Sequence, residues 1–207
     1  MLEIIEPGKI EQRSVAIITA ELAASGIVLN EETAFIVKRC IHTSADFDYA
    51  ETLTFSEGAV ETMKNLIRQG AWIVTDTNMA LAGINRKRLA EFGGEARCFM
   101  ADDDVIEEAK KRGITRAAVS MERAAALEKD VIFAIGNAPT ALIRLHEMME
   151  QAAFAPKFVI GVPVGFVNVV GAKELFLNSD VPYIINRGGK GGSNIAAAIC
   201  NAVLYDL

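Results

Sequence analysis

The sequence predicts a single doubly wound α/β domain with a mostly parallel sheet, and two observations carry that prediction. Short runs apolar at nearly every position, such as Val131-Ile132-Phe133-Ala134-Ile135, recur along the chain between stretches of helical period. A strand apolar on both faces needs a helix layer on each side, which is the arrangement of a parallel sheet. The 207 residues, 51% hydrophobic and 23% charged, suffice for one core and include no low-complexity linker at which to divide it, so the domain is expected to span residues 1–207.

The elements follow in order. Pro7 opens a helix with apolar positions at Ile10, Val15, Ile17, Ile18 and Leu22, stopped before Gly26. A second helix is expected over 31–40, then an irregular segment from His42 to Tyr49 and a short strand over 52–55. Ser56 reads as the N-cap of a helix ending at Gln69 before Gly70, and residues 71–75 read as a buried strand. Helices near 86–91, over 104–112 and after Ile114 surround a short strand at 97–100. Strands at 131–135, 158–163 and 183–185 alternate with a helix begun by Pro139, and a helix over 193–204 closes the chain. Flavodoxin-like strand order is the first expectation for such a domain.

Composition excludes several classes. The N-terminal stretch has two early glutamates and no long apolar core, unlike a signal peptide, and no run reaches the roughly 20 apolar residues of a membrane span. A cytoplasmic protein without membrane contact is expected. A net charge of −6 without a dense basic run argues against nucleic acid as a partner. Cys40, Cys98 and Cys200 match no zinc or redox spacing and read as free thiols, so no metal site is expected.

Ligands of such folds sit beyond the carboxyl ends of the strands. Polar or glycine-rich segments recur there: Asp76-Thr77-Asn78, Gly136-Asn137, Pro163-Val164-Gly165, and Arg187-Gly188-Gly189-Lys190-Gly191-Gly192-Ser193. In the last, four glycines between strand and helix expose backbone N–H groups, the helix contributes its positive end, and Arg187 and Lys190 add charge. That suits carboxylates or phosphates. The segment is neither a Walker loop nor a dinucleotide fingerprint, since Gly191 follows Lys190 and Lys190 and Ser193 stand where two of the fingerprint glycines belong. On its own it also fits an ordinary helix cap. His42 can exchange a proton near neutrality and has Arg39, Thr43, Ser44, Asp46 and Asp48 around it in sequence, but alone it also fits a surface histidine.

At these positions the chain resembles the precorrin-8X methylmutase family, from about Pro7 to Leu204. The resemblance rests on Arg13-Ser14, Ile41-His42-Thr43, Asp46-Phe47, Thr75-Asp76-Thr77-Asn78-Met79, Gly136-Asn137-Ala138-Pro139-Thr140, Pro163-Val164-Gly165-Phe166-Val167 and the Arg187 to Ser193 loop. It implies migration of a ring methyl from C-11 to C-12 of precorrin-8X or cobalt-precorrin-8 in cobalamin biosynthesis, without a cofactor, by a homodimer. It makes His42 the catalytic residue. Ser14 and Arg116 would touch the substrate, with Arg13, Arg39, Thr43, Asp76, Asn78, Asn137, Arg187, Gly188, Lys190, Gly191, Gly192 and Ser193 as further binding residues. Gly189 stands where relatives commonly carry arginine, and Gly171-Ala172 where they often carry Glu-Ser. The alternatives are a carrier that holds a tetrapyrrole without converting it and, on fold alone, a flavin protein.

Overall fold

The computed structural model describes residues 4–207; Met1 to Glu3, part of the stretch read against a signal peptide, lie outside the described residues. After a 3₁₀ turn at Pro7–Lys9 come α1 (Ile10–Ala24), α2 (Ala34–Ser44), α3 (Tyr49–Thr52), β1 (Leu53–Phe55), α4 (Ala59–Arg68) and β2 (Trp72–Thr75). Then follow α5 (Asn78–Gly83), α6 (Arg86–Ala90), β3 (Ala96–Arg97), α7 (Asp103–Arg112), α8 (Arg116–Ala125) and β4 (Val131–Ile135). The chain ends with α9 (Pro139–Glu150), β5 (Phe158–Gly161), α10 (Val169–Leu177), β6 (Tyr183–Asn186) and α11 (Ser193–Tyr205).

The sheet order is β1-β6-β5-β4-β2-β3. All neighbouring pairs are parallel except β1 against β6. Numbered by appearance, the five parallel strands run 2-1-3-4-5, the flavodoxin order, with β1 added as an antiparallel edge. The order reverses between β2 and β4, which makes the carboxyl ends of those two strands the natural ligand crevice.

The apolar strands serve two cores. Ile132 and Ala134 of β4 join the core shared with α1, α2, α4, α5 and α11, while Val131, Phe133 and Ile135 join that of α7, α8, α9 and α10. Phe133 and Phe158 are fully buried, and burying a side chain of that size contributes about 1.5–3 kcal/mol. Among the described residues one buried side-chain polar group lacks a partner, the Ser120 hydroxyl of α8. Ser120→Ala removes that unmet desolvation and improves helix propensity, so it should raise unfolding free energy by about 1 kcal/mol. Paired denaturant curves check this.

Several boundaries differ from expectation for local reasons. The second helix runs on to Ser44, so His42 stands in its last turn, and Ala45 ends it in the left-handed conformation (φ 55°). Ser56 does not cap α4, whose N-cap is Gly58. Its hydroxyl instead accepts from Tyr183 N–H (2.9 Å), tying the antiparallel edge together. Three helices were missed, the short α3 and also α5 and α10. Cys40 and Cys200 are buried free thiols, but Cys98 is only half-buried. No helix among the described residues is long and apolar enough to cross a membrane.

Candidate functional site

At the switch point the loop after β4 closes on the end of β2. Asp76 is fully buried, and its carboxylate accepts N–H bonds from Gly136 (2.8 Å), Asn137 (2.8 Å) and Ala138 (2.5 Å). Burial raises its pKa from the ordinary aspartate value, and the three amide bonds offset part of that rise. Asp76 was expected to touch substrate. The structure shows both its oxygens turned inward, where they shape the loop that exposes the Asn137 side chain.

The start of α11 presses on the same point. A Cβ on Gly136 would meet Ser193 Cα at 2.7 Å and Gly192 O at 2.8 Å, so only glycine allows that approach. The Thr77 and Ser193 hydroxyls share a hydrogen bond of 2.7 Å, and Thr77 also caps α5, leaving Asn78 exposed on the rim. Gly191 (φ 157°) lies against the Val162 carbonyl, where a side chain would collide with backbone. Next to it, Gly192 N–H donates to that carbonyl (2.9 Å) and Gly165 N–H to Gly189 O (3.0 Å). A side chain on Gly189 would meet Gly165 O at 2.9 Å, so glycine suits this tight pairing.

The Lys190 ammonium does not serve as the loose cation expected of it. It is held by Asp46 (2.7 Å) and Asp48 (2.5 Å), the carboxylates just beyond the helix that carries His42. Lys190 holds the Asp46 carboxyl below its usual range. The pair therefore latches the end of α2 to the glycine loop. Lys190→Met should free the loop, seen as about ten-fold faster exchange of the hydrogen-bonded Gly165 and Gly192 amides with the global melt little changed. Unaltered exchange there would rule the latch out.

His42 is exposed and lines a groove of about 430 Å³ between α1, α2 and the end of α11, with Glu11, Val15, Arg39, Ala202 and Tyr205 among its walls. Arg39 pairs with Glu11 (2.5 Å) and lies over the Tyr205 ring at 5.5 Å. The Thr43 hydroxyl donates to Arg39 O (2.8 Å), and the half-buried Ser14 hydroxyl to Ile10 O (3.0 Å), so both keep acceptor capacity. Burial pushes the Cys40 thiol up to about 12, which removes it as a nucleophile beside His42.

The predicted residues thus fall into two sets. Asp76, Asn78, Asn137, Arg187, Gly188, Lys190, Gly191, Gly192 and Ser193 share the carboxyl rim, as does Arg116 at the start of α8, where it donates to Met100 O (3.3 Å). Arg13, Ser14, Arg39, His42 and Thr43 belong to α1 and α2, joined to the rim by the Lys190 latch. The Arg187 guanidinium makes no hydrogen bond or ion pair among the described residues, and its backbone N–H donates to Thr52 O (2.9 Å).

Sequence reasoning missed the layer under the loop. Asn186, fully buried, donates to Arg187 O (3.2 Å) and Lys190 O (3.0 Å) and accepts from Thr52 (2.7 Å). Lys173 of α10, also fully buried, donates to Gly188 O (2.7 Å) and Lys190 O (2.8 Å). The signal was a lysine on the apolar stripe of Val169, Ala172 and Phe176.

Comparison with known proteins agrees with this architecture. The family model for precorrin-8X methylmutase matches residues 9–206. A cobalt-precorrin-8 methylmutase of Salmonella typhimurium is 48% identical over 173 residues, 83% of this chain and 80% of that one. A precorrin-8X methylmutase of Pseudomonas aeruginosa is 36% identical over 98% of each chain. The crystal structure of the Thermus thermophilus precorrin-8X methylmutase superposes with a TM-score of 0.86 at 37% identity, covering 95% of this chain and 94% of that one. Sequence and fold therefore agree: the chain belongs to the precorrin-8X methylmutase family.

Proposed function

We propose that this chain moves the ring methyl group of precorrin-8X or cobalt-precorrin-8 from C-11 to C-12, giving hydrogenobyrinate or cobyrinate, with His42 as the proton-exchanging group. The observation that carries the reading is the latch: Lys190, Asp46 and Asp48 join the His42 helix to a rim of outward amides and cations. A macrocycle edged with carboxylates needs such a rim, and a reacting centre near one ring edge needs a proton donor beside it.

The chemistry balances without a cofactor. His42 donates a proton to the conjugated ring, which lowers its electron density. The methyl group then moves with its bonding pair from C-11 to C-12, and return of the proton to His42 leaves an isomer of equal mass. Acid–base help of this kind is typically worth ~10²–10⁴-fold. Ser14, Arg116, Arg187 and the loop amides contribute by holding the ring in a reactive orientation.

A homodimer in the cytoplasm is part of this reading. Among the residues of α1 only Ile18 and Leu22 are buried, while Ile10 and Ile17 are 51% and 40% exposed and Ala16, Ala20 and Ala23 lie open. A helix apolar on its outer face is one that a partner covers. Light scattering on the purified protein tests this, with twice the chain mass expected.

The test of function is an absorbance assay of wild-type protein with precorrin-8X and with cobalt-precorrin-8. Conversion of either to the corrin-type spectrum supports the reading. Binding of both without conversion would leave a carrier in its place.

A further inference from the structure

A fully buried lysine at mid-helix is unusual, because burial penalises the charged form unless a carboxylate answers it. Lys173 has no such partner: its ammonium meets only the carbonyls of Gly188 and Lys190, and no carboxylate lies against it among the described residues. Burial alone lowers its pKa to about 8. The elements packed on α10 are α9 and β6. Their charged or titratable groups are Arg144, His146, Glu147, Glu150 and Tyr183, with Glu174 on α10 itself and Arg187 and Lys190 on the loop. Glu147 is paired with Arg144, Glu150 and Glu174 are exposed, and Asp46 and Asp48 hold Lys190, so none of these carboxylates is set against Lys173.

The two bonds have a geometric consequence. In a trans peptide the N–H points opposite the carbonyl of the preceding residue. With the Gly188 and Lys190 carbonyls drawn down to Lys173, the N–H groups of Gly189 and Gly191 point away from it. Asn186 draws the Arg187 carbonyl down likewise, which turns out the N–H of Gly188. None of these three N–H groups has an acceptor among the described residues.

We propose that Lys173 is a positioning residue for substrate: it orients the amides of Gly188, Gly189 and Gly191 toward one peripheral carboxylate of the macrocycle, and its buried charge is the one that carboxylate neutralises. This rests on the methylmutase reading. It also explains how the loop binds an anion although Lys190 is committed to Asp46 and Asp48.

The test compares wild type, Lys173→Met and Lys173→Gln by turnover and by binding of cobyrinate. Wild type must convert substrate; if it neither binds nor converts, the methylmutase reading fails and this inference falls with it. With wild type active, Lys173→Met should raise KM by about ten-fold with kcat nearly unchanged, the mark of an interaction equal in ground and transition states. Lys173→Gln, which keeps donors and loses charge, should recover only part of that loss. An unchanged KM in folded Lys173→Met overturns the proposal, as does full recovery by glutamine for the role of charge. Should both variants misfold, the wild-type protein decides. Its Lys173 Cε resonance should titrate at higher pH with cobyrinate bound than without, and an unmoved midpoint overturns the proposal.

Discussion

His42→Ala is expected to lower kcat/KM by ~10²–10⁴-fold while the protein stays folded and still binds tetrapyrrole. The side chain is exposed, and α2 is held by Ile36, Val37, Cys40 and Ile41, all of them buried. Removing the imidazole therefore opens no cavity, and the unfolding free energy should stay within about 0.5 kcal/mol of wild type. His42→Gln should be as inactive as alanine, since an amide donates a hydrogen bond but does not exchange a proton near neutrality. Stopped turnover with intact cobyrinate binding separates chemistry from binding. Conversion by His42→Ala at the wild-type rate would take His42 out of the mechanism and leave positioning alone to explain catalysis.

The second large effect is expected from one methyl group. Gly136→Ala places a Cβ against the backbone of Gly192 and Ser193, at distances of 2.7 to 2.8 Å that no rotamer change can relieve. Either the end of β4 or the start of α11 must move, at a cost of about 1–3 kcal/mol. For a chain of this size that is roughly 2–4 °C of melting temperature per kcal/mol. The shift also strains the Thr77–Ser193 bond and the three amide bonds to Asp76. Misplacing a rim group by ~1 Å can cost 10²-fold in rate, so activity should fall further than stability. Gly171→Ala is the matched control, because a Cβ there meets nothing within 4 Å and α10 gains a better helix former. Equal melting and turnover for Gly136→Ala and wild type would mean that the contact does not organise the site.

What the sequence disclosed followed from burial pattern. The fully apolar β4 and β5 announced a sheet covered on both faces, and the loops after β2, β4, β5 and β6 announced where a ligand would sit. Boundaries were less legible where tertiary contacts decide them. Ser56 looks like a helix cap, yet its hydroxyl is taken by Tyr183, a residue 127 positions away, and the antiparallel pairing of β1 arises from the same contact. The roles of charged residues were hidden for a like reason. Lys190 looked like a free cation because Asp46 and Asp48 are its partners only in space. Lys173 carried a local signal, a charge on an apolar stripe, but the carbonyls that hold it come from the next strand's loop.

The most direct test of the central claim follows the methyl group itself. Precorrin-8X or cobalt-precorrin-8 labelled with ¹³C in the C-11 methyl would be incubated with wild-type protein and observed by NMR and intact mass. The account predicts that the labelled resonance leaves the C-11 position and reappears at C-12, with the mass unchanged and no added cofactor. A label that stays at C-11 while the tetrapyrrole is bound would contradict it.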